Sequence, residues 1–445
     1  MRIGISLLGL LSADGGQERF NRYDTVNYTI QAQQLAETME CVGNSRVPGF
    51  PLFLAVVFRL QHNYSHLLPI ILLNIIGSLA VIPIWLAANL WDDKKNPRLA
   101  IIATTFYAFN LTAIANAPMM LSDTLFLFGT SWQLYFFLLM WKRKKNRMPA
   151  VIATGLIAGL NSLIRPINVF WFIPFATAIL IMPNDSKERY PLIRKLFSVM
   201  AGVAIFAAAV TPWMLRNLHQ NSGFTLDTNA GSLHYQNGAM ILAKAEHGDF
   251  ETMRAKLIAD EEREFSDREK YNCDAARESY RKKEFLKIIA AHPWIWISGH
   301  FTPYILFPDA PTMLELLGIT TENRGTMGIL ARDGLLAAVK HYFSGEYHWL
   351  FILLPFLAIT LFMYLGTFAT LVVNCLNHGT HGRYGILFFL LFIEYYLFLP
   401  GPITAPRYQL PALPLMSLMA AEAMLYLKSD LFKRTLRKRE KQPGK

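Results

Sequence analysis

Residues 122–147 read SDTLFLFGTSWQLYFFLLMWKRKKNR, an apolar and aromatic run with one early acid, Asp123, closed by Lys142, Arg143, Lys144, Lys145 and Arg147. Roughly 20 mostly apolar residues are what an α-helix needs to cross a bilayer core. Comparable stretches lie near 66–90, 99–117, 149–164, 167–183, 196–214, 349–374, 384–399 and 410–427. Met1 to Ala13 is apolar but too short to cross, and reads as the end of a clipped first span, with a cleaved signal peptide as its rival. The composition agrees: 53% of the 445 residues are hydrophobic and 17% charged, against roughly 25% charged in soluble domains. Disorder, a disulfide scaffold and a purely soluble enzyme are therefore excluded. The expected fold class is an all-α integral membrane protein, a multi-pass helical bundle.

The net charge of +11 would suggest nucleic acid in a soluble protein, but here the positions of the charges matter more. Lys94, Lys95 and Arg98 follow the 66–90 span, and the basic run quoted above follows 122–141. Lys187, Arg189, Arg194 and Lys195 precede 196–214, while Lys428, Lys433, Arg434, Arg437, Lys438 and Arg439 form the tail. Basic loops mark the cytoplasmic side, and these fall on alternate loops. The other face then carries residues 14–65, 118–122, 165–166, 216–347 and 400–409. The chain divides into an N-terminal membrane half (1–215), an extracytoplasmic segment (216–347), C-terminal membrane helices (348–427) and a basic tail (428–445). The bilayer is an expected partner; nucleic acid is not.

The 216–347 segment opens polar, with SGFTLDTNAGSLHYQNGA at 222–239. A charged helical stretch follows over 243–290, in which Glu264 with Arg268 and Glu278 with Lys282 have the i,i+4 order that supports exposed helices. Trp294, Trp296 and Tyr304 then suit a headgroup-level position.

Ionisable residues gather at the non-cytoplasmic ends of the spans, where basic residues are otherwise scarce; such residues are functional by default. Asp24 heads YDTVNYTIQAQQLAE, and Asp24, Tyr28 and Leu35 share a helix face; N-capping is the alternative role for Asp24. Arg46 precedes VPGFP, a rigid turn before a helix that restarts at Pro51. Asp123 stands at a helix start, where the dipole also favours a carboxylate. Arg165 is followed by Pro166, Arg216 lies in TPWMLRN, and Arg407 and Tyr408 lie in APRYQLPALP. For any one arginine, snorkelling to lipid phosphate is the simpler account; four on one face with two carboxylates ask for more. A carboxylate serves as general base toward a hydroxyl, and arginines supply planar forks for phosphate oxygens.

In this order, Asp24…Tyr28…Leu35, RVPGFPLFLA, SDTLF, RP, TPWMLRN, TNAG…QNG and PRYQLPALP resemble the bacterial GT-C glycosyltransferases, which include protein O-mannosyltransferase and aminoarabinose-transferase-like enzymes. The likeness runs from about residue 20 to 427. It implies a multi-pass GT-C-like bundle with its active site on the extracytoplasmic face of the cell membrane. It further implies a polyprenyl-phosphate sugar donor, inversion at the anomeric carbon, and a glycan, lipid or protein acceptor. By motif, Asp24 is the first-loop acid and candidate catalytic base, and Asp123 the second acidic position. Arg46, Arg216 and Arg407 face the donor phosphate, with Arg165 beside them, and Tyr28 and Tyr408 contact substrate.

The WWDYG motif of oligosaccharyltransferase catalytic subunits is absent, as are HKE-type first-loop motifs. Thr25 stands where a second first-loop acid would complete a two-carboxylate metal site, so no obligatory divalent cation is expected. The competing reading is a transporter or flippase of a lipid-linked glycan. It needs ionisable groups deep in the spans, where Glu394 and Glu422 are the candidates.

Overall fold

The computed structural model describes residues 4, 16–40, 46–91, 96–143, 146–182, 192–317, 326–343, 348–376 and 380–425. Apart from Gly4, the expected clipped span lies outside the described residues, as do Lys94, Lys95, Lys144, Lys145, Lys187, Arg189 and the basic tail. Among those described, every regular element is a helix. Four are long and apolar enough to cross a membrane: Leu67–Trp91, Asp123–Lys142, Leu192–His219 and His348–Leu376. Large apolar side chains point outward from them, among them Ile193, Phe197, Met200, Phe351, Phe362 and Phe368. That surface suits hydrocarbon and not water.

The other expected spans are shorter or broken, each for a local reason. The 99–117 stretch divides into Pro97–Ala108 and Leu111–Asn116. Between them the side chain of Asn110 caps the second helix, accepting from Ala113 N at 2.9 Å. The 149–164 stretch ends at Ser162, before the Arg165–Pro166 pair, where proline disfavours helical backbone in its predecessor. The next stretch opens as a 3-10 turn, Pro166–Trp171, and continues as Phe172–Ile181. A π-helical turn, Phe389–Glu394, interrupts the 384–399 stretch. The last enters through a 3-10 turn, Pro406–Ala412, and is helical over 413–425.

Asp123–Lys142 is the centre of the bundle, packed against Val81–Trp91, Leu67–Leu79 and Met148–Ser162. Without a hydrophobic drive between helices, close approach through small residues and interhelical hydrogen bonds do the joining. A Cβ added to Gly155 would stand 2.4 Å from the carbonyl oxygen of Gly202, on the facing helix Leu192–His219. A buried amide network crosses the same region. Asn161 Nδ2 donates to Gln133 Oε1 at 2.8 Å, Asn168 Nδ2 to the Ala158 carbonyl at 2.8 Å, and the Tyr396 hydroxyl to Asn168 Oδ1 at 2.7 Å.

The outer segment corrects one expectation. The charged stretch is two helices, Phe250–Glu264 and Asp274–Ala291. They part at SDREKYN, where the Asp267 side chain accepts from the backbone N–H of Lys270 at 3.1 Å and favours a turn. Glu264 therefore meets Lys270 at 2.6 Å instead of Arg268; within the second helix Glu278 meets Arg281 at 3.0 Å, an i,i+3 pair, instead of Lys282. Polar clamps fasten this segment to the bundle. Asn116 Nδ2 donates to Asp309 at 2.7 Å, Gln409 Nε2 donates to the carbonyls of Ile305 and Phe307 at 3.0 Å each, and Arg22 pairs with Glu315 at 2.7 Å.

The turn after Arg46 is fixed by one glycine. The helix begins at Gly49, two residues before the expected Pro51, and Gly49 N donates to the Leu163 carbonyl at 2.7 Å. A Cβ there would stand 2.6 Å from that oxygen, so the backbone contact that sets Arg46 beside Arg165 admits only glycine. Gly49→Ala is expected to lower stability by about 1–3 kcal/mol, read as a lower thermal midpoint in detergent. An unchanged midpoint would contradict the close approach.

Candidate functional site

Asp24 lies in the first turn of the helix Tyr23–Thr38, yet it does not cap it. The cap is Arg22, whose N–H donates to Thr25 Oγ1 at 2.8 Å. The Asp24 carboxylate instead receives Arg46 Nη2 at 2.6 Å, and Arg407 Nη2 lies 3.8 Å from its other oxygen. One turn on, the buried ring of Tyr28 lies 5.5 Å from the Arg46 guanidinium, and its hydroxyl stands 3.3 Å from Ser122 Oγ. Asp123 is likewise not a cap: Ser122 holds that place. The buried Asp123 carboxylate accepts from Arg165 Nη1, whose guanidinium lies between the rings of Phe126 and Tyr408, 6.0 and 5.5 Å away.

These groups surround a cavity of about 360 Å³, within the roughly 300–1,000 Å³ of small-molecule sites. Asp24, Tyr28, Arg46, Arg165, Tyr396 and Tyr408 supply its wall from the bundle. Arg407 stands behind Asp24, and among the described residues its buried Nε has no hydrogen-bond partner. Asp123 is not in the wall; its partner Arg165 is. Arg216 is not in the wall: its guanidinium lies 4.6 Å from the Trp213 ring and donates to Asn217 Oδ1 at 2.9 Å. Among the described residues, no three His, Cys, Asp or Glu side chains gather as a metal-binding set.

Apolar residues such as Val47, Phe126 and Ile403 complete the bundle side, and the facing wall comes from the polar run at 222–239, which the sequence reading left without a site role: Asp227, Asn229, Ser232, Gln236 and Asn237. Its signal was an excess of small and amide residues where a surface helix would carry charge. The run folds into a π-helical turn, Ser232–Gly238, a form frequent at functional sites. Below it His234 Nδ1 meets Glu261 Oε1 at 2.6 Å, and Arg281 bridges Glu261 and Glu278 at 3.0 Å each. Burial pushes the Asp227 carboxyl up to about 6; Glu278 adds to the rise, and Arg46 and Lys282 oppose it. The folded chain thus binds this proton more readily than the unfolded one. The group's contribution to stability is full below the ordinary carboxylate range and is lost as pH rises through about 6.

No family model and no curated protein sequence matches the chain. Its fold is similar to that of the oligosaccharyltransferase AglB of the archaeon Archaeoglobus fulgidus, solved in complex with an inhibitory peptide and a dolichol-phosphate. That match has a TM-score of 0.51 at 15% identity and covers 100% of this chain and 52% of that one. A structure of the Archaeoglobus fulgidus oligosaccharyltransferase tethered to an acceptor peptide containing the NVT sequon gives a TM-score of 0.50 at 13% identity, over 97% and 49% of the two chains. The chain spans about half the length of these structures. The likeness is one of fold.

Removing Arg165 would leave the Asp123 carboxylate, 4% exposed, buried without its cation. Arg165→Ala is expected to cost about 3–5 kcal/mol, and the Asp123→Ala, Arg165→Ala double variant less than the sum of the two single costs. Thermal midpoints of the four proteins check this; strict additivity would mean that the pair is not coupled.

Proposed function

We propose that this chain is a multi-pass membrane glycosyltransferase. On the extracytoplasmic face it transfers a sugar from a polyprenyl-phosphate donor, with inversion, to an acceptor hydroxyl. The observation that carries the reading is the meeting of Asp24 with Arg46 and Arg407, beside Arg165, around one cavity on this fold. Sidedness supports it. The cavity lies at the N-terminal end of Asp123–Lys142, a helix of 20 residues, or about 30 Å at 1.5 Å per residue. At the far end Lys142 Nζ donates to the Trp91 carbonyl at 3.4 Å, among the basic loops assigned to the cytoplasm.

The donor phosphate carries one negative charge before transfer and gains another as its bond to the sugar breaks. Arg46 and Arg165 in the wall, with Arg407 behind Asp24, stabilise that growing charge by fixed positive charge. A cavity of about 360 Å³ is at the small end of ligand sites and suits one sugar with one phosphate. This fits the single-phosphate donors of the O-mannosyltransferase and aminoarabinose-transferase type. Tyr28 and Tyr408 offer ring faces and hydroxyls to the sugar, and the outer segment, which supplies the rest of the wall, selects the acceptor. The motif order implies Asp24 as the candidate base, yet its carboxylate is held by Arg46 at 2.6 Å. Asp24 also sets where the arginines stand. A flippase reading finds less support: Glu422 already accepts from Trp91 Nε1 at 2.9 Å.

Incubating purified protein in detergent with labelled polyprenyl-phosphate sugars, and following release of the lipid phosphate, tests the reading. Asp24→Asn is expected to stay folded and to lose about 10²–10⁴ in transfer rate. Turnover near that of the parent would remove Asp24 from the mechanism. In reconstituted vesicles, lipid translocation without phosphate release would favour the flippase.

A further inference from the structure

The cavity holds a second carboxylate whose partners differ from those of Asp24. Asp227 belongs to the outer segment, and its position is set by the residues just before it. Trp213 Nε1 donates to the Leu226 carbonyl at 2.8 Å, and Asn217 Nδ2 donates to the Thr225 carbonyl at 2.9 Å. The TPWMLRN motif therefore acts here through its Trp and Asn, as a grip on the backbone that presents Asp227 to the cavity. Three residues later, Ala230 N donates to Glu278 Oε2 at 2.8 Å and pins the far side of the same loop.

The difference between the two acids is one of partners. Asp24 Oδ1 is occupied by Arg46 at 2.6 Å, with Arg407 3.8 Å from Oδ2. Its charge is engaged with the arginines. The Asp227 carboxylate is half buried in the wall, and among the described residues nothing donates to it or pairs with it. The charged groups around it are Glu278 and Lys282 on the helix Asp274–Ala291, and Arg46 in the turn before Gly49; Arg281 neutralises Glu278 at 3.0 Å. Burial in this company holds its proton to about pH 6, near the range in which a general base works best at neutral pH.

We infer that Asp227 is a catalytic residue that binds the incoming acceptor hydroxyl and takes its proton, while Asp24 holds the arginines in register for the donor phosphate. The inference rests on the glycosyl-transfer reading above. In the step, the acceptor oxygen passes its proton to a carboxylate oxygen of Asp227 and forms a bond to the anomeric carbon with its electron pair. The bond from that carbon to the donor's phosphate oxygen breaks, and its pair stays on the phosphate. Asp227 returns the proton to water before the next turnover.

The test uses the full chain in detergent, as parent, Asp227→Asn and Asp24→Asn, in two assays. One measures binding of a short-chain polyprenyl monophosphate. The other follows transfer from labelled polyprenyl-phosphate mannose, glucose and aminoarabinose, from about pH 5 to about pH 8. The parent's kcat/KM is expected to rise through about pH 6. Asp227→Asn should lose that rise and about 10²–10⁴ in kcat, yet bind the monophosphate within about threefold of the parent. Asp24→Asn should lose monophosphate binding. Asp227→Asn gives up no ion pair and removes a charge that burial disfavours, so its thermal midpoint should be no lower than the parent's; Asp227→Glu, which retains an acid, should recover part of the rate with a shifted acid limb. Transfer by Asp227→Asn at the parent's rate with the rise intact overturns the inference, as does a parallel loss of monophosphate binding. A parent protein that binds no polyprenyl monophosphate overturns the glycosyltransferase reading itself.

Discussion

A guanidinium and a carboxylate at the end of an apolar bundle hold each other there, because neither is stable in such a place alone. Asp123 is buried because Arg165 reaches it, and Arg46 is turned inward because Asp24 receives it. Arg407 joins from the last membrane segment, 3.8 Å from the same Asp24. These residues come from distant stretches of chain, so the cluster forms only when the bundle closes. With Arg46, Arg165 and Arg407 set against Asp24 and Asp123, one positive charge is left over on the bundle side of the cavity. The site thus favours an anion, and a phosphate is the anion whose oxygens suit forked donors.

The bundle and the outer segment share the work of building this site. The bundle supplies the charge pairs and a floor tied by Tyr396 to the buried amide of Asn168. The outer segment supplies polar groups without strong charge pairs: Asn229, Ser232, Gln236 and Asn237, with Asp227 among them. Such groups suit the hydroxyls of a sugar or an acceptor. The His234–Glu261–Arg281–Glu278 network under the π-helical turn keeps that wall in place. An arginine-rich side facing an amide-rich side is the division of labour that the proposed transfer from a phosphate-linked donor to a neutral hydroxyl would ask for.

Much of this was written in local sequence. Apolar length and the placement of basic loops mark the helical bundle, and the acids and arginines at the opposite ends of spans mark where Asp24, Arg46, Arg165 and Arg407 meet. What was not legible depends on contacts between distant segments. The break at Asn110 is a capping bond inside an apolar stretch, which hydropathy averages away. The start at Gly49 answers a carbonyl of Leu163 that sequence does not bring near. Arg216 has the composition of a phosphate ligand, yet it folds onto Trp213 because the helix continues past Pro212 to His219. Asp227 is one acid in a polar loop; only the grip of Trp213 and Asn217 on the preceding backbone gives it a place.

The account depends on the cluster being an anion site, and the direct measurement is a comparison of two ligands that differ by one group. Intrinsic tryptophan fluorescence of the full chain would be titrated with a short-chain polyprenyl monophosphate and with the alcohol of the same chain length. The account predicts that the phosphate binds at least about tenfold more tightly, a preference of about 1.4 kcal/mol, and that the preference falls with added salt and vanishes when Arg46 and Arg407 are both changed to Gln. Equal affinity for phosphate and alcohol, or a preference untouched by the arginine changes, would contradict it.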